Sequence, residues 1–416
     1  MESILKLTLF SLVFYFTLQS CSSIKIKNDD SDMRNKTKIN GKLVEVNFGN
    51  RLCKHPDFKD SRIPELQATH TIERLNDPIF KAAIQYEIPL IKFQYNSSIV
   101  RIDDSGYLMT VRFDCTNRSN QNTQSYTLVH ELNNELTPVS DLQFLKIPSF
   151  LDAKIENGIA EDMRLFKIKD QIYGTIGDNL DGRNYYFPDR RIHLLKISTE
   201  MGEWKAKSIE FFSSPKDSPI KGPEKNWAPI PIFTSSDSES PLLVYALDPQ
   251  YMLAKATPNK TIQGEREIEI VKPCNRTLPW DRAQYGKLRG GTPLIWLNEL
   301  QGYLGFFHTA KHLENERGNI YYMGAYVVNG TTKCVSHISP APLQYTGMYD
   351  AKEEEKGFWI HNAGPDTEVI FPTGVEISVW EGQQVIIVSA GINDYRVKNF
   401  ILDRQALTES LSKITP

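Results

Sequence analysis

The sequence predicts an all-β chain, a single-domain, five-bladed β-propeller with a short N-terminal extension. Three observations predict it. Polar clusters headed by Asn96, Glu161, Lys225, Arg289 and Phe371 recur at roughly even intervals. After each comes a turn and an apolar, aromatic-rich stretch, at residues 106–113, 171–176, 241–247, 302–308 and 383–390. A second extended stretch follows each of these, at 126–132, 192–197, 251–256, 320–328 and 395–402. Repeats longer than about 50 residues that hold several strands fit propeller blades better than a helical solenoid.

The elements follow in order. Residues 1–22 read as a signal peptide: a positively charged start, then a mostly apolar run at 7–18, then small polar residues. That run suits a secretory leader and is short for a membrane span, although an uncleaved leader would act as an anchor. Leu18-Gln19-Ser20-Cys21 also matches a bacterial lipobox, with Cys21 as the lipidated residue. Residues 23–50 are a polar leader. The propeller is assigned to 51–405; its first part carries mixed signals, with a short helix suggested at 78–85. From residue 91 onward the pattern is strand-like, as in 107–113, 242–247 and 385–389, with loops rich in Asn, Asp, Gly and Pro. Residues 406–416 form a short polar tail, helical and either packed or frayed.

Bulk composition sets limits. The 416 residues are 40% hydrophobic and 24% charged, enough for a large core. A net charge of −3 offers no electrostatic footing for nucleic acid. The eight histidines are scattered, with no zinc-like pairing, and there is no P-loop or dinucleotide fingerprint, so no metal or cofactor is expected. Past the leader, Cys53, Cys115, Cys274 and Cys334 remain. An even count in a chain bound for an oxidising compartment suggests disulfides; three pairings are open, and free buried thiols compete with all of them. Asn-X-Ser/Thr occurs at Asn35, Asn96, Asn117, Asn259, Asn275 and Asn329, which favours a eukaryotic secretory protein. Asn96 is discounted as a glycan acceptor because it falls on an expected inner strand.

A propeller points equivalent residues of successive blades at one axial pocket. Asp162, Lys225, Arg289, His308 and Asp394, distant in sequence, are therefore candidates to converge. A carboxylate there would be partly desolvated and flanked by other charges, the conditions for acid–base work on a glycan. The competing reading is that these polar residues only satisfy strand ends and turns.

The motifs carry a resemblance. Asn96-Ser97-Ser98-Ile99, Glu161-Asp162-Met163-Arg164, Gly290-Gly291-Thr292-Pro293 and Gly302-Tyr303-Leu304-Gly305-Phe306-Phe307-His308 occur in order. Tyr321-Tyr322-Met323-Gly324-Ala325, Phe371-Pro372-Thr373-Gly374 and Gly391-Ile392-Asn393-Asp394 complete the set. Over about residues 91–403 the chain resembles the five-bladed propeller glycosidases and phosphorylases acting on β-mannosides (glycoside hydrolase family 130) and the related β-mannosyltransferases.

The resemblance implies an oligosaccharide or glycan substrate, with Asp162 as general acid and Glu161 and Arg164 holding its carboxyl. It further implies that Asn96, Lys225, Asn226, Arg289, His308 and Tyr322 bind substrate. An inverting hydrolase also needs a carboxylate to activate water, for which Asp394 is the leading candidate and Glu376 the other. A transferase would use a nucleotide-linked mannose, its phosphates neutralised by Lys225, Arg289 and His308. Phosphorolysis ranks behind both, because Lys225 stands where the phosphate clamp has arginine and residues 232–233 lack its lysine. A non-catalytic binder would keep Trp227, Tyr303 and Tyr322 as aromatic platforms.

Overall fold

The computed structural model describes residues 34–39, 42–47, 69–72, 84–87, 94–116, 123–140, 143–145, 160–178, 191–212, 226–235, 238–260, 266–312, 319–343, 369–393 and 396–414. The leader at 1–22 lies outside them. The chain forms two units, Met1–Arg62 with Thr116–Gln121, and Ile63–Cys115 with Asn122–Pro416. In the first, Arg34–Ile39 and Lys42–Asn47 pair as an antiparallel hairpin within the stretch read as polar leader.

The second unit is all-β, built from antiparallel arrays in chain order. One is Gln94–Asp103, Gly106–Thr116, Thr123–Asn133 and Gln143–Phe144. The next two meanders, Ala160–Ile168 through Glu203–Phe212 and Ala228–Ser235 through Arg266–Val271, share an eight-stranded sheet. They meet there at a single residue pair, Phe212 with Arg266. A fourth array centres on Gly302–His312 and Met323–Asn329. A fifth holds Ile370–Trp380, Gln383–Ile392 and Arg396–Asp403, extended by Ile84–Glu87 and Thr69–Ile72 from the chain's beginning. Every stretch expected to be extended lies largely on one of these strands. The helix suggested at 78–85 does not hold at its end, since Ile84 and Gln85 are in a strand whose partner is Arg396–Asp403.

Apolar layers fill the spaces between arrays, and each layer draws on two of them. Val100, Leu108 and Val129 pack with Met163, Leu165 and Ile172. On the other side of Ala160–Ile168, Phe166 and Tyr173 pack with Trp227, Leu243 and Tyr245. Ala228, Val244 and Leu253 meet Phe307, Tyr326 and Val328, while Leu304, Phe306 and Val327 meet Ile386, Val388 and Phe400. The cycle returns where Val385, Ile387 and Ile401 pack with Ile99, Tyr107 and Met109. Neighbours in sequence such as Phe306 and Phe307 face opposite layers and are both fully buried, each burial contributing roughly 1.5–3 kcal/mol. Burial on both faces is why these strands read as nearly unbroken apolar runs.

The tail is docked. Asp403 caps the helix Arg404–Ser410 by accepting from the Ala406 N–H at 2.7 Å, and Leu407 is buried in the apolar layer beside Phe400. Beyond it Ser412–Lys413 pairs with Val335–Ile338. Of the four cysteines past the leader, Cys274 and Cys334 form a disulfide with Cα atoms 5.7 Å apart. Cys53 lies outside the described residues.

Glu376 provides a pH test of this packing. Its carboxylate accepts from the Arg101 N–H at 2.8 Å and the Ile377 N–H at 2.9 Å. Burial nevertheless pushes its pKa above the ordinary 4.5, with those hydrogen bonds acting the other way. A folded pKa above the unfolded one means the native state binds more protons, so stability falls as pH rises through that interval. Denaturant unfolding from about pH 4 to 8 should show the native chain losing stability relative to Glu376→Gln; a constant difference would contradict it.

Candidate active site

The site begins with backbone geometry. Asn96 and Asp162 lie near the start of the first long strand of their arrays, Asn226 lies two residues before Ala228–Ser235, and each has a left-handed backbone, with φ of 50°, 54° and 73°. Asn and Asp tolerate that conformation because their short polar side chains bond locally. At Asn96 and Asp162 the strand register also slips, between Tyr95 and Ser98 and opposite Thr175 to Gly177. Such bulges break the alternation of side chains and re-aim one of them. The close approach also needs glycine. A Cβ on Gly391 would lie 2.0 Å from Asn96 Oδ1, and one on Gly290 would lie 1.8 Å from the Asn226 carbonyl oxygen.

The side chains converge on Asp162. Asn96 Nδ2 donates to Asp162 Oδ1 at 2.7 Å, and Arg112 Nη1 meets the same oxygen at 2.9 Å. Arg112 Nη2 lies 3.4 Å from Glu161 Oε1. All four groups are buried. Arg164 plays a different part from the one implied by the resemblance. Its Nη1 donates to the Asp162 backbone carbonyl at 2.7 Å, its Nη2 to Asn226 Oδ1 at 2.9 Å, and its Nε to the Gly291 carbonyl at 2.6 Å. It ties three arrays together and holds Asp162 by its backbone carbonyl. Burial pulls its pKa down to about 10, against the opposing pull of Asp162, so it stays charged at neutral pH.

Asn96, Glu161, Asp162, Arg164 and Asn226 thus form one connected group. Arg289, His308 and Tyr322 lie on the next array, joined to it through Gly291. Exposed Arg289 sits opposite buried His308 in the ladder. The His308 ring is 4.3 Å from that of Phe371 and 5.3 Å from that of Tyr321. Tyr322 meets Tyr285 edge-on at 5.8 Å. Lys225 and Asp394 lie outside the described residues; Asn393, beside the latter, accepts from the Val369 N–H at 2.7 Å. Glu376 bonds to Arg101, five positions along the strand from Asn96, and to Ile377, and among the described residues it makes no hydrogen bond to the group around Asp162. Trp227 is buried against Tyr245, which makes it packing and not a platform.

Sequence reasoning missed Arg112. Its signal was a lone cation in the apolar run 107–113, where a buried charge demands a partner. A paired, desolvated cluster of this kind can bind polyols and move a proton at Asp162.

No protein-family model matches the chain, and no curated protein matches it. Among solved structures it is similar to a β-1,2-mannobiose phosphorylase from Listeria innocua, at 12% identity over 83% of this chain and 99% of that one, with a TM-score of 0.46. It is similar to an α-L-arabinofuranosidase from Lactobacillus brevis at 12% identity, covering 76% and 92%, with a TM-score of 0.39. A sialidase from Trypanosoma rangeli is 10% identical over 83% of this chain and 61% of its own, also at 0.39.

Proposed function

We propose that this chain is a glycan-active enzyme of the secretory pathway, a five-bladed β-propeller in which Asp162 carries the proton that makes or breaks a β-mannosidic bond. The observation that carries the reading is the carboxylate of Asp162, buried and fixed on one oxygen by Asn96 and Arg112 where the inner strands begin. Apolar layers that each join two arrays, in a cycle that returns to its start, support the five-bladed closure. In hydrolysis Asp162 protonates the glycosidic oxygen, and a second carboxylate activates water from the opposite face, as inversion requires. Asp394 is the remaining candidate for that base.

One feature favours a second reading. The Arg112 ion pair stabilises the charged form of Asp162, which suits a general base. In transfer Asp162 takes the proton of an acceptor hydroxyl as that oxygen attacks the anomeric carbon of a nucleotide-linked mannose, and Lys225, Arg289 and His308 neutralise the departing phosphates. Purified full-length chain incubated with β-mannosides, with and without inorganic phosphate and GDP-mannose, separates the cases. Free mannose from β-mannoside alone indicates hydrolysis. An elongated product that appears only with GDP-mannose indicates transfer. No product under any condition, with glycan still retained, overturns the enzyme reading.

A further inference from the structure

Asn329 combines features not found together at Asn96, Asn259 or Asn275; the side chains of Asn35 and Asn117 lie outside the described residues. Its Oδ1 accepts from the Thr331 N–H at 3.0 Å, the Thr332 N–H at 2.8 Å and the Thr332 hydroxyl at 3.2 Å. Its backbone N–H donates to the Cys334 carbonyl at 2.8 Å, and its carbonyl accepts from the Lys333 N–H at 3.0 Å. The turn is closed at Cys334 by the disulfide to Cys274. The carboxamide is therefore fixed through its oxygen, while Nδ2 makes no hydrogen bond among the described residues. Beside it lies Trp296, one of the few large apolar side chains left exposed among the described residues, at 37%. Its ring edge covers Gly330 so closely that a Cβ there would be 2.6 Å from it. Tyr303 packs edge-on against the indole at 4.9 Å, and Asn298 Oδ1 takes its N–H at 2.6 Å.

The other sequons differ. Asn96 is buried with its Nδ2 engaged on Asp162. Asn259 and Asn275 are exposed, and Asn275 Oδ1 already accepts from Gln250 Nε2 at 2.9 Å.

We infer that Asn329 is an N-glycan attachment site and that the first sugar rests its apolar face on Trp296. In the attachment step Nδ2 forms a bond to the anomeric carbon of a polyprenyl-diphosphate-linked oligosaccharide. The bond from that carbon to the diphosphate oxygen breaks, the lipid diphosphate leaves, and Nδ2 gives up one proton to the transferase. A disulfide next to the sequon fits a compartment where both modifications occur. A rigid, already ordered indole loses little entropy when a sugar covers it. The inference rests on entry into the secretory lumen, which is part of the proposal above and is read separately in the test.

The intact chain is translated with microsomes, protease protection reports lumenal entry, and glycopeptide mass spectrometry maps occupancy. Protected chain carrying glycan on Asn329, lost in Asn329→Gln, supports the inference. Protected chain with bare Asn329 overturns it, and so does chain that never becomes protected. For the platform, enzymatic removal of the glycan should lower Tm by about 1–2 °C in the native sequence and by less than half of that in Trp296→Ala. Equal shifts in the two would refute the contact with Trp296.

Discussion

Asp162→Asn should lower the rate of glycosidic bond turnover by about 10²–10⁴, the usual contribution of a positioned proton-transfer group. The substitution separates chemistry from fold. Asparagine accepts the left-handed backbone at φ 54°, and its carbonyl oxygen still accepts from Asn96 and Arg112. What disappears is the capacity to take up or give up a proton. Arg112 keeps a carboxylate partner in Glu161, so the melting temperature should change far less than the rate. Product formation measured beside a thermal melt checks both halves. A variant that turns over within about tenfold of the native chain would remove Asp162 from the chemistry.

The strands were legible because their apolar runs are long and their turns rich in Gly, Asn and Asp. The closing of the fifth array was not. Ile84–Glu87 pairs with Arg396–Asp403, and nothing local in either stretch names the other. The site divides the same way. Asn96, Glu161, Asp162, Arg164 and Asn226 were picked out in the sequence and are found together. Their hydrogen-bond partners were not legible, because a bulge decides which way a side chain turns. Arg112 went unread because its partners Glu161 and Asp162 lie far along the chain on a neighbouring array. The pairing of Cys274 with Cys334 is equally non-local. It follows from the loop after Arg266–Val271 meeting the turn before Val335–Ile338, a juxtaposition that composition does not reveal.

Arg112→Ala should be the most destabilising single change in the site, by about 3–5 kcal/mol, the scale for removing one partner of a buried ion pair. The reason is charge more than volume. Glu161 and Asp162 are adjacent in sequence, both nearly inaccessible, and both within reach of this one guanidinium. Arg164 contributes only its nearby charge, since its donors are committed to the Asp162 and Gly291 carbonyls and to Asn226. Without Arg112 the two carboxylates repel each other in a poorly solvated space, and one answers by binding a proton. The native state of the variant then holds more protons than its unfolded state near neutral pH. Its stability deficit should therefore widen as pH rises from about 4 to 8 and narrow on acidification. Arg112→Met fills most of the same space without the charge, and it should keep the pH-dependent part of the deficit while recovering the packing part. Denaturant midpoints for both variants across that pH range decide the matter. A deficit independent of pH would assign the loss to packing and would leave the buried carboxylate pair without the role given to it here.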